Sequence, residues 1–172
     1  MMGKVVGLLL SRGAGIFVGI ASILLVFLVL PASHAQISRE EAMAAEQLIV
    51  QGKLDEAERV YLALLEKHPG SLLALSNLGV VYYQKGEMLA AIRVLSKAVK
   101  IAPTDGFSHR TLGMSFLKAD ELDLAITSLE MAIKLNPADY RAHNFMGIVA
   151  TKKGWWKTAE TECRRAIELN KD

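Results

Sequence analysis

His109 and His143 stand thirty-four residues apart, and two imidazoles at matched places along a chain invite a metal reading. That chemistry is demanding: a zinc ion draws its nitrogen ligands to about 2 Å and takes four donors in all. Histidines at equivalent places on packed neighbouring helices sit on axes on the order of 8–10 Å apart. The sequence shows no further ligands to complete a set, so no metal is expected. Glu40 and Glu41 are adjacent carboxylates of the kind acid–base catalysis uses. They fall in the first turn of an expected helix, where negative charge complements exposed N–H groups. Cys163 is the only cysteine, which excludes an internal disulfide. It reads as a small core hydrophobe, with a disulfide to a second chain after export as the alternative. There is no phosphate loop and no triad pattern. The chain is therefore expected not to be an enzyme and to carry no cofactor.

Charge narrows the partners. Lys4 and Arg12 are the only charged residues before residue 36, and beyond it basic and acidic residues number 18 each. A nucleic-acid binder needs a basic surplus or stripe, so none is expected as a partner. The first 35 residues have the three-part layout of a secretory signal: Lys4 and Arg12, the uncharged run AGIFVGIASILLVFLVL, then PASHA with Ser33 and Ala35 at a small-residue cleavage site. Cleavage after Ala35 would leave a periplasmic or secreted protein. The alternative is a retained membrane anchor, for which the run is slightly short, with the rest of the chain still outside the cytoplasm. Gly15 and Gly19 have the spacing of paired membrane helices, though glycines scattered through a signal explain them as well.

The thirty-four-residue interval is general. It links Gly79, Gly113 and Gly147, with Ala45 one period earlier. It links Pro69, Pro103 and Pro137, and Ala57, Ala91, Ala125 and Ala159. Gly52, Gly86 and Gly154 share a phase that Asp120 interrupts. Such self-similarity marks a solenoid of stacked units. Each unit reads as two helices. In the second, Leu72 to Lys85 forms one and Gly86 ends it in the left-handed conformation. Leu89 to Ile101 forms the other, with Ala91, Leu95 and Ala98 on one face, and Pro103 stops it. A mid-helix glycine costs about 1 kcal/mol against alanine. Gly79 is expected to stand where the hairpin's helices press together, opposite Ala98.

Leu75, Leu78, Gly79, Tyr82, Ala91, Leu95, Ala98 and Pro103 resemble the tetratricopeptide repeat pattern, as do His109, Leu112, Gly113, Phe116, Ala125, Leu129, Ala132 and Pro137. The resemblance covers residues 38–71, 72–105, 106–139 and 140–172. It implies an all-α fold, an α-solenoid of four antiparallel helix-pair repeats in a short right-handed superhelix over residues 36–172. It also implies that the first helices line a concave groove. Carried over by phase, the wall holds five basic residues, Arg39, Arg110, Lys118, Arg141 and Lys152, against one acid, Glu46. Tyr83, Phe107, Met114 and Leu117 supply apolar contacts, and Ala42, Leu73, Ser76, Val80, Asn144 and Ile148 complete the wall. A peptide segment of another protein, with acidic and apolar residues, is the expected ligand. The clamp that one subtype uses for a chain-terminal carboxylate is not expected: only Asn77 matches it.

The outer units read as ends. Glu58 and Glu160 replace Ile92 and Ile126, as capping units facing water would require, and no extra solvating helix is expected after the fourth unit. Trp156 shares a phase with Leu54, Met88 and Leu122 and is expected in the core. Trp155 shares one with Lys53, Glu87 and Glu121, is expected to face solvent, and is a candidate contact with a second copy or a partner. The expected function is a protein-binding scaffold outside the cytoplasm that supports complex assembly. The alternative is a membrane-anchored tether self-associating through its C-terminal end.

Overall fold

The regular spacing of small residues and the turn signals between them resolve into four helical hairpins. The computed structural model describes residues 39–170; the export segment inferred for residues 1–35 lies outside them. The elements are α1 (Arg39–Val50), α2 (Leu54–Lys67), α3 (Leu72–Lys85), α4 (Met88–Ile101), α5 (Gly106–Lys118), α6 (Leu122–Leu135), α7 (Tyr140–Lys152) and α8 (Trp156–Leu169). No strand occurs among the described residues. None of these helices is long and apolar enough to cross a membrane.

The turn inside each hairpin is the same device used repeatedly. Gly52, Gly86 and Gly154 have φ of 73°, 83° and 74°, and Asp120 adopts φ 64° in their place. A left-handed residue lets the next N–H reach back: Glu87 N donates to Tyr82 O at 2.8 Å and Glu121 N to Phe116 O at 2.9 Å. Asp120 therefore keeps the turn that its phase predicts, at the steric expense that a Cβ brings there.

Between hairpins the linkers are held by side chains. Ser71 accepts from Ala74 N and Asp105 from Ser108 N, while Asp139 accepts from both Arg141 N and Ala142 N. Each satisfies an orphan N–H of a first helix. The two histidines do a related job. Nε2 of His109 lies 3.0 Å from Pro103 O, and Nε2 of His143 lies 3.1 Å from Pro137 O. Their shared phase thus reflects a repeated loop contact. No three metal-ligating side chains converge among the described residues.

Close approach of the paired helices explains the glycines. A Cβ on Gly79 would lie 2.4 Å from Leu95 Cγ, one on Gly113 2.7 Å from Leu129 Cγ, and one on Gly147 2.6 Å from Cys163 Sγ. The side chain seated on Gly79 is therefore Leu95 and not Ala98. Leucine one turn earlier reaches across into the gap that the glycine leaves, while Ala98 is buried along the same face. Cys163 takes the equivalent seat in the last unit and is half-buried.

The core runs through the stack as overlapping clusters. Ala91, Leu95 and Leu112 form one, and Ala125, Leu129, Met146 and Val149 another, with Phe116 packed against both. Second helices thus pack between the first helices of their own unit and the next, while α3, α5 and α7 touch one another in turn.

The two ends depart from expectation. Trp156 is 69% exposed, so it is not core. Its equivalent Leu122 packs under α7, and among the described residues no helix follows α8 to do the same. Glu58 is also not a water-facing cap. It joins the first two units, accepting from Lys85 Nζ at 2.5 Å and Tyr82 OH at 3.1 Å. Glu160 does face water, paired with Arg164.

Lys85 also contacts Asp55 and Glu87. These bonds raise the Lys85 pKa above its ordinary value, through Glu58 first, and Lys85 lowers that of Asp55 below 3.8. A depressed carboxylate stabilises above its unfolded value and stops doing so as pH falls through the folded one; a raised lysine stabilises below its unfolded value and fades as pH rises through the folded one. The thermal midpoint is therefore expected to fall below about pH 4, and Asp55→Asn to remove part of that fall and also to bring on the loss at strong alkali earlier, since Asp55 is one of the partners that hold the Lys85 pKa up. Differential scanning calorimetry across pH checks it.

Candidate functional site

The first helices α3, α5 and α7 present one continuous row because each touches the next. At the α3–α5 contact, Ser76 Oγ donates to Leu72 O at 2.7 Å and lies 2.9 Å from Ser108 Oγ. Its single proton is used on Leu72, so Ser108 donates. Ser76 is 5% exposed and belongs to this packing contact, not to the exposed wall where its phase placed it. Val80, Met114 and Leu117 are half-buried, and Leu117 packs against the Leu129–Met146 cluster.

The exposed surface of the row is carried by Leu73, Phe107, Lys118, Arg141, Asn144, Ile148 and Lys152. Tyr83 is half-buried under Lys118, whose Nζ stands 4.8 Å from its ring centroid. The side chains of Arg39 and Ala42 lie outside the described set.

Electrostatics divides the basic residues into two classes. Arg110 forms an ion pair with Asp139 in which both side chains are largely buried, and its guanidinium also stacks 5.3 Å from the Phe107 ring. Lys152 pairs with Asp120 at 2.7 Å. These two have partners within the chain. Lys118 and Arg141 have no carboxylate partner among the described residues; each lies over an aromatic ring, Tyr83 and Tyr140 respectively. A cation held on a ring face keeps its charge available to a ligand, because the quadrupole attraction adds only about 0.5–1 kcal/mol at an exposed site. Nothing local in the sequence announces the Arg110–Asp139 pair, whose members are 29 residues apart. The capping role of Asp139 was more legible, since Ser71, Asp105 and Asp139 recur at the repeat interval.

The other end of the row has the opposite character. A depression of about 370 Å³ is lined by Glu46, Leu72, Leu73, Ser76, Asn77, Asp105 and Phe107. Behind it Tyr61 is fully buried, and burial pushes its hydroxyl up to about 12. The row thus offers apolar contact together with the carboxylates of Glu46 on α1 and Asp105 at the start of α5, and the cations Lys118 and Arg141 at the end of α5 and the start of α7.

Stacked hairpins of this geometry, with a glycine seated on a side chain of the paired helix and a capped first helix in the second, third and fourth units, define a helical-repeat interaction scaffold. The chain belongs to the tetratricopeptide repeat family, whose model matches residues 42–106 and 110–172. Solved structures agree. The crystal structure of MamA is 28% identical, with 73% of this chain and 74% of that chain covered and a TM-score of 0.67. TTC0263, a thermophilic TPR protein of Thermus thermophilus, is 20% identical over 78% of this chain and 75% of its own, with a TM-score of 0.71. YrrB, described as a TPR protein with an unusual peptide-binding site, is 23% identical over 78% and 69%, with a TM-score of 0.65. No curated protein matches the chain significantly.

Proposed function

We propose that this chain is an exported scaffold whose row of first helices holds a peptide segment of another protein during assembly of a larger complex. The observation that carries the reading is the pair of uncompensated cations, Lys118 and Arg141, set among the exposed apolar side chains Phe107 and Ile148. A partner segment with acidic groups between apolar anchors matches that order, its carboxylates reaching the two cations and its anchors the apolar wall. Arg110 contributes by shaping the wall, because its charge is already answered by Asp139.

Export follows from residues 1–35, whose basic start, apolar run and PASHA end suit a signal cleaved before Gln36. Mass analysis of the chain recovered from its host cell tests this directly: a product beginning at Gln36 supports it, and a chain retaining Lys4 does not.

The groove is tested by fluorescence anisotropy with a labelled synthetic peptide alternating leucine and glutamate. Lys118→Glu with Arg141→Glu is expected to weaken binding at least tenfold, about 1.4 kcal/mol, and to leave the helical circular dichroism unchanged, since both side chains are exposed. Equal affinity in wild type and variant would remove the groove assignment.

A further inference from the structure

Along α8, Trp156, Glu160, Cys163 and Ile167 fall on one stripe, at the positions where α6 carries Leu122, Ile126, Leu129 and Ile133. On α6 those residues pack against Met146 and Val149 of α7. On α8 the two ends of the stripe are uncovered among the described residues, with Trp156 69% and Ile167 72% exposed, while Cys163 between them is half-buried on Gly147. Trp155 precedes the helix, stands under Lys153 and lies off the stripe.

We propose that this stripe is covered by the same stripe of a second copy, the two α8 helices running antiparallel across a two-fold axis. A two-fold axis demands that a surface complement itself. Residues placed nearly symmetrically about Glu162 then meet, and the side chains along α8 are matched for that. Trp156 faces Ile167, Lys157 faces Glu168, and Glu160 faces Arg164 of the other copy. All three pairings are attractive. Lys157, Arg164 and Glu168 flank the stripe on the side of Glu160, and with it border a surface depression of about 410 Å³. In an antiparallel pair the same flanks meet, so the charges lie opposite one another. In the single chain Arg164 already reaches Glu160 at 2.7 Å, and the second copy offers each the same partner again.

The head-to-tail alternative, α1 of one copy laid on α8 of another, fits less well. α1 carries Glu41 and Gln47 at the positions where α3 buries Leu75 and Val81. Covering that face would bury the exposed Gln47 amide.

Sedimentation velocity of the full chain in a density-matched nonionic detergent tests the pairing. A dimer is expected, and Trp156→Ala with Ile167→Ala is expected to raise its dissociation constant at least tenfold without loss of helicity. Arg164→Glu is expected to weaken the dimer, because like charges then meet across the axis. Glu160→Arg added to Arg164→Glu is expected to restore it. A monomer at every concentration reached, a dimer indifferent to the Trp156 and Ile167 changes, or failure of the reversed pair to restore association would each overturn the proposal. These outcomes are independent of peptide binding in the groove.

Discussion

Gly79→Ala is expected to lower the unfolding free energy by about 2 kcal/mol, although alanine is the better helix former by about 1 kcal/mol. The new methyl would stand 2.4 Å from Leu95 Cγ, 2.6 Å from Cδ2 and 2.9 Å from Cδ1. Those atoms are the branch point and both terminal methyls of a fully buried leucine, which has no open space to turn into, so α3 and α4 must separate. The cause is checkable by a cycle of variants in urea denaturation. Leu95→Ala alone leaves a cavity and is expected to cost about 2–5 kcal/mol. Combined with Gly79→Ala it should cost less than the sum, because the alanine methyl then enters vacated space. Strict additivity would show that the close approach is not what the glycine serves.

Asp139→Ala is expected to cost more, about 3 kcal/mol. Two losses coincide. The N–H groups of Arg141 and Ala142 lose the acceptor that starts α7, and the largely buried Arg110 loses its counter-charge. Asp139→Asn separates the two, since the amide oxygen still caps while the charge is gone; it is expected to retain about 1 kcal/mol of the difference. Thermal and urea unfolding of both variants give the measurement. Equal destabilisation would place the whole effect in the ion pair.

What the sequence made legible was whatever repeats. Helix α3 begins and ends where the period placed it, at Leu72 and Lys85, and α4 begins one residue earlier than expected, at Met88. The left-handed turn was readable from three glycines, and Asp120 keeps the same backbone because the helix before it still needs its last carbonyls answered. Periodicity fails where a position's neighbour changes. Trp156 has the phase of a core residue, but its burial depends on a following first helix that the described residues do not include. Glu58 looked like a solvent-facing replacement for isoleucine, but Lys85 stands where it can be met by a carboxylate. Phase cannot show such an exchange, since both partners have to be seen together. The candidate groove was legible in outline only. The family resemblance supplied its wall, but which cations are free depended on Asp139 and Asp120, distant in sequence from Arg110 and Lys152.

The half-buried ring of Phe116 is packed against the Leu95–Leu112 cluster on one side and the Leu129–Met146 cluster on the other. A change in curvature at either junction must displace the same ring. The second, third and fourth hairpins therefore bend like a sprung strip and not like beads on a string, and a distortion at one junction will be felt as stiffness at the other.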